Sequence, residues 1–486
     1  MRARDAAIGV IALAAGVGVS SGMGHPLFRD EGASWYSARL GWSALWSQSR
    51  VVDLVVLPYY AFLHFWVDVD GGVAWLRLPS LVAYVATVWV VGRVGARLGG
   101  ALCGLLTAVL AATNPLLVEA ALYARPYALA TLGATLAVAA LVRWYDGGAP
   151  GWLWCFAVAS SATLALQLFC VLAPLSALAA VVLLRPAGLR GRWGPARTPL
   201  LTLGAVVFCG VVVSVGQRGQ ITWITPLRGG RAVKAVLGPA YGGSGTYTVF
   251  LAVLVVAAGF TCLWATRARR FRPPARWTES FVVAVCWAVV PTVLLVGISL
   301  LRPVYVARYV TASAPGLALA SGLLVAIAVH LLGSRRPPGW WTATATATVV
   351  VVAVLGSVLG LVPGADQTTE HLDTTTRYVE TRAVGDAELA LPDHSLTTVV
   401  EYYLGRAHTQ LQLWPQVAAQ PAIEGLDLRT DRHAVAVGPP DVWLIDDGST
   451  SGLGRWVDTL DAAGYVRVRT TVVGDVRVEH FHRGRS

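Results

Sequence analysis

Charged residues are scarce in this chain: they make up 13% of its 486 residues, whereas hydrophobic residues make up 55%. A soluble protein of this length exposes far more charged surface than such a composition can supply, so a soluble globular protein is excluded. Repeated runs of about 18 or more apolar residues predict a polytopic membrane protein, whose apolar side chains face lipid.

Cysteine is also rare, and its six copies all lie in or beside apolar runs. Their spacing fits neither a disulfide framework nor a metal-binding motif, so we expect small core residues. The histidines and carboxylates show no convincing metal-ligand spacing either. His25 with Asp30 and Glu31 could form a metal site, but we do not favour it. The chain also lacks a glycine-rich loop ahead of a helix, the pattern that cradles nucleotide phosphates. The sequence therefore predicts no disulfide bond, no metal, no cofactor and no nucleotide-sugar donor.

Lysine is almost absent: Lys234 is the only one, so arginine carries nearly all of the positive charge behind the net +11. A basic chain can bind nucleic acid, but these arginines cluster in short loops between apolar runs. Such clustering is the positive-inside pattern, so we predict the lipid bilayer and no nucleic acid as a partner. The predicted inner loops are 93–99, 146–150, 185–197, 267–278 and 333–340.

The apolar runs predict about eleven membrane-spanning helices. The chain starts with MRARD, which places the N-terminus inside, and SSGMG offers no cleavage site after the first span, so we expect a retained helix. With the N-terminus inside, the long loop 23–76 after the first span lies on the outer face. An odd number of spans places the tail on the same face. The apolar run 151–185 is too long for one helix and fits two, joined by a turn near Gln167. The predicted spans are 6–22, 77–97, 100–117, 127–145, 151–168, 169–185, 199–217, 246–266, 280–301, 309–332 and 341–363.

The composition changes sharply after Pro363. The following residues are polar, and they alternate strand-like runs (AELAL, DVWLIDD, YVRVRTTVV, VRVEHF) with helix-like stretches (TTTRYVETRA, LGRWVDTLDAAG). This alternation predicts a small extracytoplasmic α/β domain. The predicted architecture is thus an all-α polytopic membrane domain over 1–363, with the large first external loop 23–76, followed by an α/β domain over 364–486.

Two adjacent carboxylates, Asp30 and Glu31, follow the first predicted span closely. Carboxylates at this depth are costly to hold beside lipid, which indicates chemistry at the membrane surface. An ordinary solvated loop is the alternative for the pair alone, but three further groups at the outer face favour a site. They are Asp53 with Tyr59, Tyr60 and His64; Glu119 with Arg125 and Tyr127; and Arg302 with Arg308 and Tyr309.

The arginines of these groups lie at the predicted membrane boundary. A guanidinium group suits a phosphodiester better than an ammonium does, although snorkelling and helix capping are alternative roles for such arginines. A carboxylate pair with several arginines at headgroup depth fits a reaction between a lipid-phosphate donor and a hydroxyl acceptor. One long external loop on one face is typical of an enzyme, whereas transporters built from repeats show related halves.

The order of these short motifs resembles that of the C-type membrane glycosyltransferases of the family-39 type, which include protein O-mannosyltransferases and lipid A aminoarabinose transferases. The bacterial mannosyltransferase-like branch is the most similar. The resemblance is strongest over residues 25–145. It rests on the DE pair, on Asp53 followed by Tyr59–Tyr60, on RLPS at 77–80, on ARPY at 124–127 and on Arg308–Tyr309.

Two positions depart from the family pattern. The histidine that the family has between Asp53 and Tyr59 is absent, and Tyr123 replaces the glutamate of its Q-E-A-R motif. These changes affect either substrate specificity or turnover. Three classes of function therefore stay open: a glycosyltransferase, a transporter or flippase of lipid-linked sugars, and a catalytically weak relative that binds polyprenyl phosphate.

The resemblance implies a C-type glycosyltransferase fold and an inverting, single-displacement transfer of a sugar, mannose or a similar one. The donor would be a polyprenyl-phosphate sugar, and the acceptor a hydroxyl of a glycan, lipid or protein at the outer face of the cell membrane. The catalytic residues would be Asp30, as the general base, and Glu31. Arg125, Arg302, Arg308 and Tyr309 would hold the donor phosphate, and Asp53, Tyr59, Tyr60, His64, Glu119 and Tyr127 would bind substrate.

Overall fold

The chain divides into two units. The helical unit comprises Met1–Met23, Ser49–Tyr59 and Arg77–Asp366, and the α/β unit comprises Gly24–Gln48, Tyr60–Leu76 and Gln367–Ser486. The computed structural model describes residues 2–184, 193–217, 224–227, 230, 235, 245–267, 275–333, 371–383, 387–391, 396–407, 412–413, 439–446 and 453–484.

Helices make up all of the regular structure described up to residue 333. Short 3-10 turns at Leu54–Val56, Leu168–Val171 and Ala307–Ser313 each lead into the next α-helix. The α-helices are α1 (Arg2–Ser20), α2 (Arg29–Arg39), α3 (Trp42–Val51), α4 (Leu57–Trp66), α5 (Val73–Ala112), α6 (Pro115–Ala121), α7 (Tyr127–Tyr145), α8 (Gly151–Leu166), α9 (Leu172–Leu184), α10 (Trp193–Gly216), α11 (Gly245–Arg267), α12 (Ala275–Leu301) and α13 (Ala314–Gly333).

Several of these helices have the length and composition of membrane spans. Within the described residues, six helical segments are long and apolar enough to cross a membrane, and four shorter apolar helices accompany them. The chain is therefore a polytopic membrane protein, as its composition predicts. The six segments are Ala3–Ser20, Val73–Ala112, Tyr127–Tyr145, Gly194–Gly216, Arg276–Leu301 and Ala307–Leu331.

Two breaks between predicted spans appear in the structure. Helix α5 covers the predicted span 77–97 and residues 100–112 of the predicted span 100–117, but Gly100 has a non-helical φ of 85° and ψ of −175°. Glycine adopts such angles without steric cost, so α5 is two arms that meet there. The apolar run after α7 is likewise divided, because Gln167 is extended between α8 and α9. The predicted span 341–363 lies outside the described residues, so the total of about eleven stays a prediction.

The two arms of α5 approach closely because small residues line their contact. A Cβ added to Gly104 would lie 2.5 Å from the Cβ of Ala96, and one added to Gly95 would lie 2.7 Å from Thr107 Oγ1. Inside a bilayer, helices associate through such close packing, since lipid tails are as apolar as the side chains. This hairpin is part of the alanine-rich core of the helical unit.

Ion pairs gather at one end of the helical unit. Asp146 Oδ2 lies 2.5 Å from Arg97 Nε, and its Oδ1 lies 2.9 Å from Arg276 Nη2. Asp5 Oδ2 lies 3.3 Å from Arg93 Nη1. The N-terminal segment and three of the predicted inner loops therefore lie on the same side, which agrees with the positive-inside pattern.

Among its described residues, the tail contributes a mixed sheet and three helices to the α/β unit. Its elements are α14 (Leu372–Glu380), β1 (Glu388–Ala390), α15 (Thr397–Ala407), β2 (Gln412–Leu413), β3 (Asp441–Asp446), α16 (Leu453–Ala462), β4 (Tyr465–Val473) and β5 (Val476–Arg483). The strand order is β2-β1-β3-β5-β4; β1 is parallel to β2 and β3, and β5 is antiparallel to β3 and β4. The predicted α/β alternation is thus confirmed, whereas β2 and α15 were not predicted.

Candidate active site

Helix α2 carries the predicted catalytic carboxylates in its first turn. Glu31 is buried, and its Oε2 accepts a hydrogen bond from the backbone N–H of Phe28 at 2.9 Å. This contact is the glutamate half of a capping box, which fixes the start of a helix. Asp30 is half-buried, and its Oδ2 is enclosed. The two carboxylates therefore differ: Glu31 caps the helix, and Asp30 is the better placed to accept a proton.

Helix α15 packs directly on α2 within the α/β unit. A Cβ added to Gly32 would lie 2.5 Å from Val399 Cγ2, so the helices touch where Gly32 has no side chain. The backbone N–H of Leu27, just before α2, donates to Tyr403 Oη at 2.8 Å. The tail thus holds the helix that carries the carboxylate pair, a role that the sequence did not reveal.

His64 and Tyr60 also belong to the α/β unit. His64 Nδ1 lies 2.7 Å from the carbonyl oxygen of Ala38, and it must donate because a carbonyl oxygen only accepts. The His64 ring lies 4.5 Å from the Trp42 ring, measured between centroids, and Tyr60 is buried. His64 therefore joins α4 to the C-terminal end of α2, and its role in substrate binding stays a prediction.

In the helical unit, predicted residues from two distant segments come together. The Arg308 guanidinium carbon lies 5.9 Å from the centroid of the Tyr127 ring, and the Tyr309 ring stacks on that of Phe169 at 5.3 Å. Burial raises the pKa of Glu119, and the nearby Arg308 guanidinium opposes that rise. We name Glu119, Tyr127, Arg308 and Tyr309 the arginine–tyrosine cluster. A guanidinium beside an aromatic ring and a carboxylate provides a fixed positive charge, as a phosphate ligand requires.

The RLPS run supports the backbone of the segment that contains Arg125. Ser80 Oγ donates to the carbonyl oxygen of Tyr123 at 2.6 Å and lies 3.5 Å from that of Arg125. Arg77 is buried, and its Nη1 donates to the carbonyl oxygen of Met23 at 3.0 Å. The run therefore fixes both the end of the first span and the backbone beside Arg125. Sequence reasoning identified the run but gave it no role.

Asp53 lies in a strained turn between α3 and α4. Its φ of 62° is in the left-handed region, and no other non-glycine residue among those described has a positive φ. Gln217 holds both sides of the turn: its Oε1 accepts from the Leu54 N–H at 3.0 Å, and its Nε2 donates to the Ser49 carbonyl oxygen at 2.8 Å. Strained backbone persists where surrounding contacts fix it. Gln217 is thus a positioning residue that sequence reasoning missed.

We expect Gln217→Ala to release this turn. Loss of the two hydrogen bonds should lower the free energy of unfolding by about 1–3 kcal/mol. Thermal unfolding of the purified protein measures the effect, and Ser47→Ala, which changes an exposed hydroxyl of α3, is the control. A melting temperature equal to that of the wild type would show that Gln217 does not hold the turn.

The other predicted residues are distributed over both units. Tyr59 is buried, and Arg302 is exposed just after the end of α12. Across the described ranges, no three or more His, Cys, Asp or Glu side chains are grouped to hold a metal ion. Asp30, Glu31, Tyr60 and His64 belong to the α/β unit, and Asp53, Tyr59, Glu119, Arg125, Tyr127, Arg302, Arg308 and Tyr309 belong to the helical unit.

Comparison with known proteins identifies the fold. No family model and no curated protein matches the chain. It is similar to the crystal structures of ArnT from Cupriavidus metallidurans in the apo state (TM-score 0.62) and bound to undecaprenyl phosphate (TM-score 0.61), each with 14% identity over 97% of both chains. Arabinosyltransferase EmbB from Mycobacterium smegmatis aligns with a TM-score of 0.41 and 16% identity, over 91% of this chain and 44% of that one. The chain therefore has the fold of ArnT, a C-type membrane glycosyltransferase, as the resemblance implied.

Proposed function

We propose that this membrane protein transfers a sugar, mannose or a similar one, from a polyprenyl-phosphate donor to a hydroxyl acceptor at the outer face of the cell membrane. The observation that carries the proposal is the unequal carboxylate pair at the start of α2, with Glu31 buried as a cap and Asp30 partly exposed. The fold supports it, because one ArnT structure of the same fold contains undecaprenyl phosphate.

The chemical step uses Asp30 as the general base. The acceptor oxygen attacks the anomeric carbon from the face opposite the phosphate while Asp30 takes the hydroxyl proton. The bond between the anomeric carbon and the phosphate oxygen breaks, and polyprenyl phosphate leaves with the electron pair. The new glycosidic bond forms on the opposite face, so the anomeric configuration is inverted.

The arginine–tyrosine cluster serves the donor. Arg308, with Arg125, offers guanidinium groups for the phosphate and stabilises the charge that grows as the phosphate leaves. The Tyr309 ring stacks on Phe169 beside Arg308, and this contact fixes the ring of Tyr309. Glu119 balances part of the positive charge before the donor arrives, since its pKa responds to Arg308.

The proposal is tested with the purified full chain in lipid nanodiscs. The protein receives radiolabelled polyprenyl-phosphate mannose, arabinose or glucose, with a membrane extract as the source of acceptor. Transfer of label from one donor supports the proposal. Donor binding without any transfer would indicate a binding-only relative, and movement of donor across a proteoliposome membrane without transfer would indicate a flippase.

We expect the tail to lie outside the cytoplasm, with the proposed reaction. A fluorescent protein that matures only in the cytoplasm should be dark when fused after Ser486. The same reporter fused after Gly333, at the start of a predicted inner loop, should fluoresce and serves as the control. Fluorescence of the Ser486 fusion would place the tail inside and remove it from a reaction at the outer face.

A further inference from the structure

A cavity of about 690 Å³ lies within the α/β unit. Helices α14 and α15 line it together with Gly72 and Val73 at the start of α5, so both the tail and the first external loop contribute. Its volume is within the range of about 300–1,000 Å³ that is usual for small-molecule sites. The cavity is separate from the residues to which the proposed mechanism assigns chemistry.

Helix α14 presents a charged face to this cavity. Asp373, Arg377 and Glu380 recur at helical spacing and all line it. Thr376 also lines the cavity and is only 1% exposed. Its Oγ1 and Asp373 Oδ1 are buried, and neither has a hydrogen-bond partner among the residues that the structure describes. Buried polar atoms are nearly always hydrogen-bonded in folded proteins, so two such oxygens without partners are unusual beside a cavity. The charged groups of this face that a ligand reaches directly are those of Arg377, which is exposed, and Glu380, which is half-buried.

Helix α15 contributes two tyrosines with fixed positions. Tyr402 Oη donates to the carbonyl oxygen of Gly71 at 3.0 Å, and the Tyr402 and Tyr403 rings meet edge to face at 5.1 Å. The Trp35 ring of α2 lies 5.2 Å from the Tyr402 ring. One wall of the cavity is therefore attached to the helix that carries Asp30.

The lining selects among chemical classes of ligand. The two carboxylates of Asp373 and Glu380 outnumber the one guanidinium of Arg377, so the cavity repels phosphates and other anions. Most of its side chains are polar, which disfavours a lipid tail. A neutral, hydroxyl-rich ligand both donates to the carboxylates and accepts from Arg377, and its apolar face can rest on the half-buried Tyr403 ring.

We propose that this cavity binds a neutral saccharide and that this saccharide is part of the acceptor. The binding of a saccharide stands on the cavity alone, whereas its role as acceptor rests on the proposed function. Because α15 lines the cavity and also packs on α2, a saccharide held here is anchored to the same rigid pair of helices as Asp30.

Saturation-transfer difference NMR on the full chain in nanodiscs tests the binding. The neutral probes are mannotriose, arabinotriose and maltotriose, and trigalacturonate is the anionic probe. We expect at least one neutral trisaccharide to bind at millimolar concentration and trigalacturonate not to bind. Glu380→Gln and Arg377→Gln should each weaken that binding by about tenfold, and Asp458→Asn, on the exposed side of α16, should leave it unchanged.

Thermal unfolding of each variant checks that it is folded. The proposal would be overturned by any of three results: no binding of a neutral probe to the wild type, preference for trigalacturonate, or wild-type affinity in both Glu380→Gln and Arg377→Gln.

Transfer activity distinguishes failure of the saccharide site from failure of the proposed function. If transfer occurs and both variants keep the wild-type acceptor KM, the cavity is not the acceptor site; if a trisaccharide binds and no donor supports transfer, the saccharide site stands and the transferase proposal fails.

Discussion

Asp30→Asn should yield a membrane protein that inserts normally and no longer transfers sugar. We expect turnover to fall by about 10²- to 10⁴-fold, the usual loss when a general base is removed. Asparagine has nearly the same shape as aspartate but cannot take the proton of the acceptor hydroxyl. The measurement is transfer from whichever radiolabelled polyprenyl-phosphate sugar supports the wild type, with expression and melting temperature as checks on folding.

Glu31→Gln is the matched control, because it changes the neighbouring carboxylate in the same way. The glutamine side-chain oxygen can still accept the Phe28 N–H, so the start of α2 should be preserved. We expect a clearly smaller loss of turnover than in Asp30→Asn. The reverse order of effects would assign the base to Glu31, and near-normal turnover in both variants would refute the proposed chemical step.

The strands of the tail could be predicted because their signals are local. The runs at β3, β4 and β5 are rich in β-branched or aromatic residues, and the run at β1 is a short apolar one. Helix α15 could not, since it begins with Thr397, Thr398, Val399 and Val400, whose β-branched side chains favour strands. These residues form a helix because Val399 and Val400 are fully buried there, and packing outweighs propensity.

The membership of the site was easier to predict than its geometry. Motif order identified Glu119 and Arg308 separately, but their electrostatic interaction depends on how α6 packs against the turn before α13. The clamp of Gln217 on the turn at Asp53 has the same origin. Such contacts join residues far apart in the chain, and no local pattern encodes them.

The capping role of Glu31 shows a limit of a different kind. A capping box is a local signal, but it is recognised by a Ser, Thr, Asp or Asn at the start of the helix, and this helix has Phe28 there. The residues alone therefore offer no reason to prefer either carboxylate of the DE pair, and Asp30 is assigned as the base only within the family resemblance. The hydrogen bond from Phe28 to Glu31 and the deeper burial of Glu31 distinguish them.

Arg308→Ala should weaken binding of the donor more than that of the acceptor. A lost charge-assisted hydrogen bond to phosphate costs about 1.5–3 kcal/mol, which raises the Kd by about 10- to 150-fold. We expect the same direction for Arg125→Ala. Titration of the protein in nanodiscs with a polyprenyl phosphate, followed by tryptophan fluorescence, measures the affinity without requiring turnover or knowledge of the sugar.

Two further variants separate a phosphate contact from a general effect of charge. Arg308→Lys keeps the positive charge but loses the planar fork, so its affinity should fall between those of wild type and Arg308→Ala. Arg143→Ala removes an arginine that lies 4.8 Å over the Trp152 ring at the predicted inner end of α7, and it should bind polyprenyl phosphate as the wild type does. If Arg308→Ala and Arg125→Ala also bind like the wild type, both arginines merely snorkel to the interface and the donor phosphate is held by other groups.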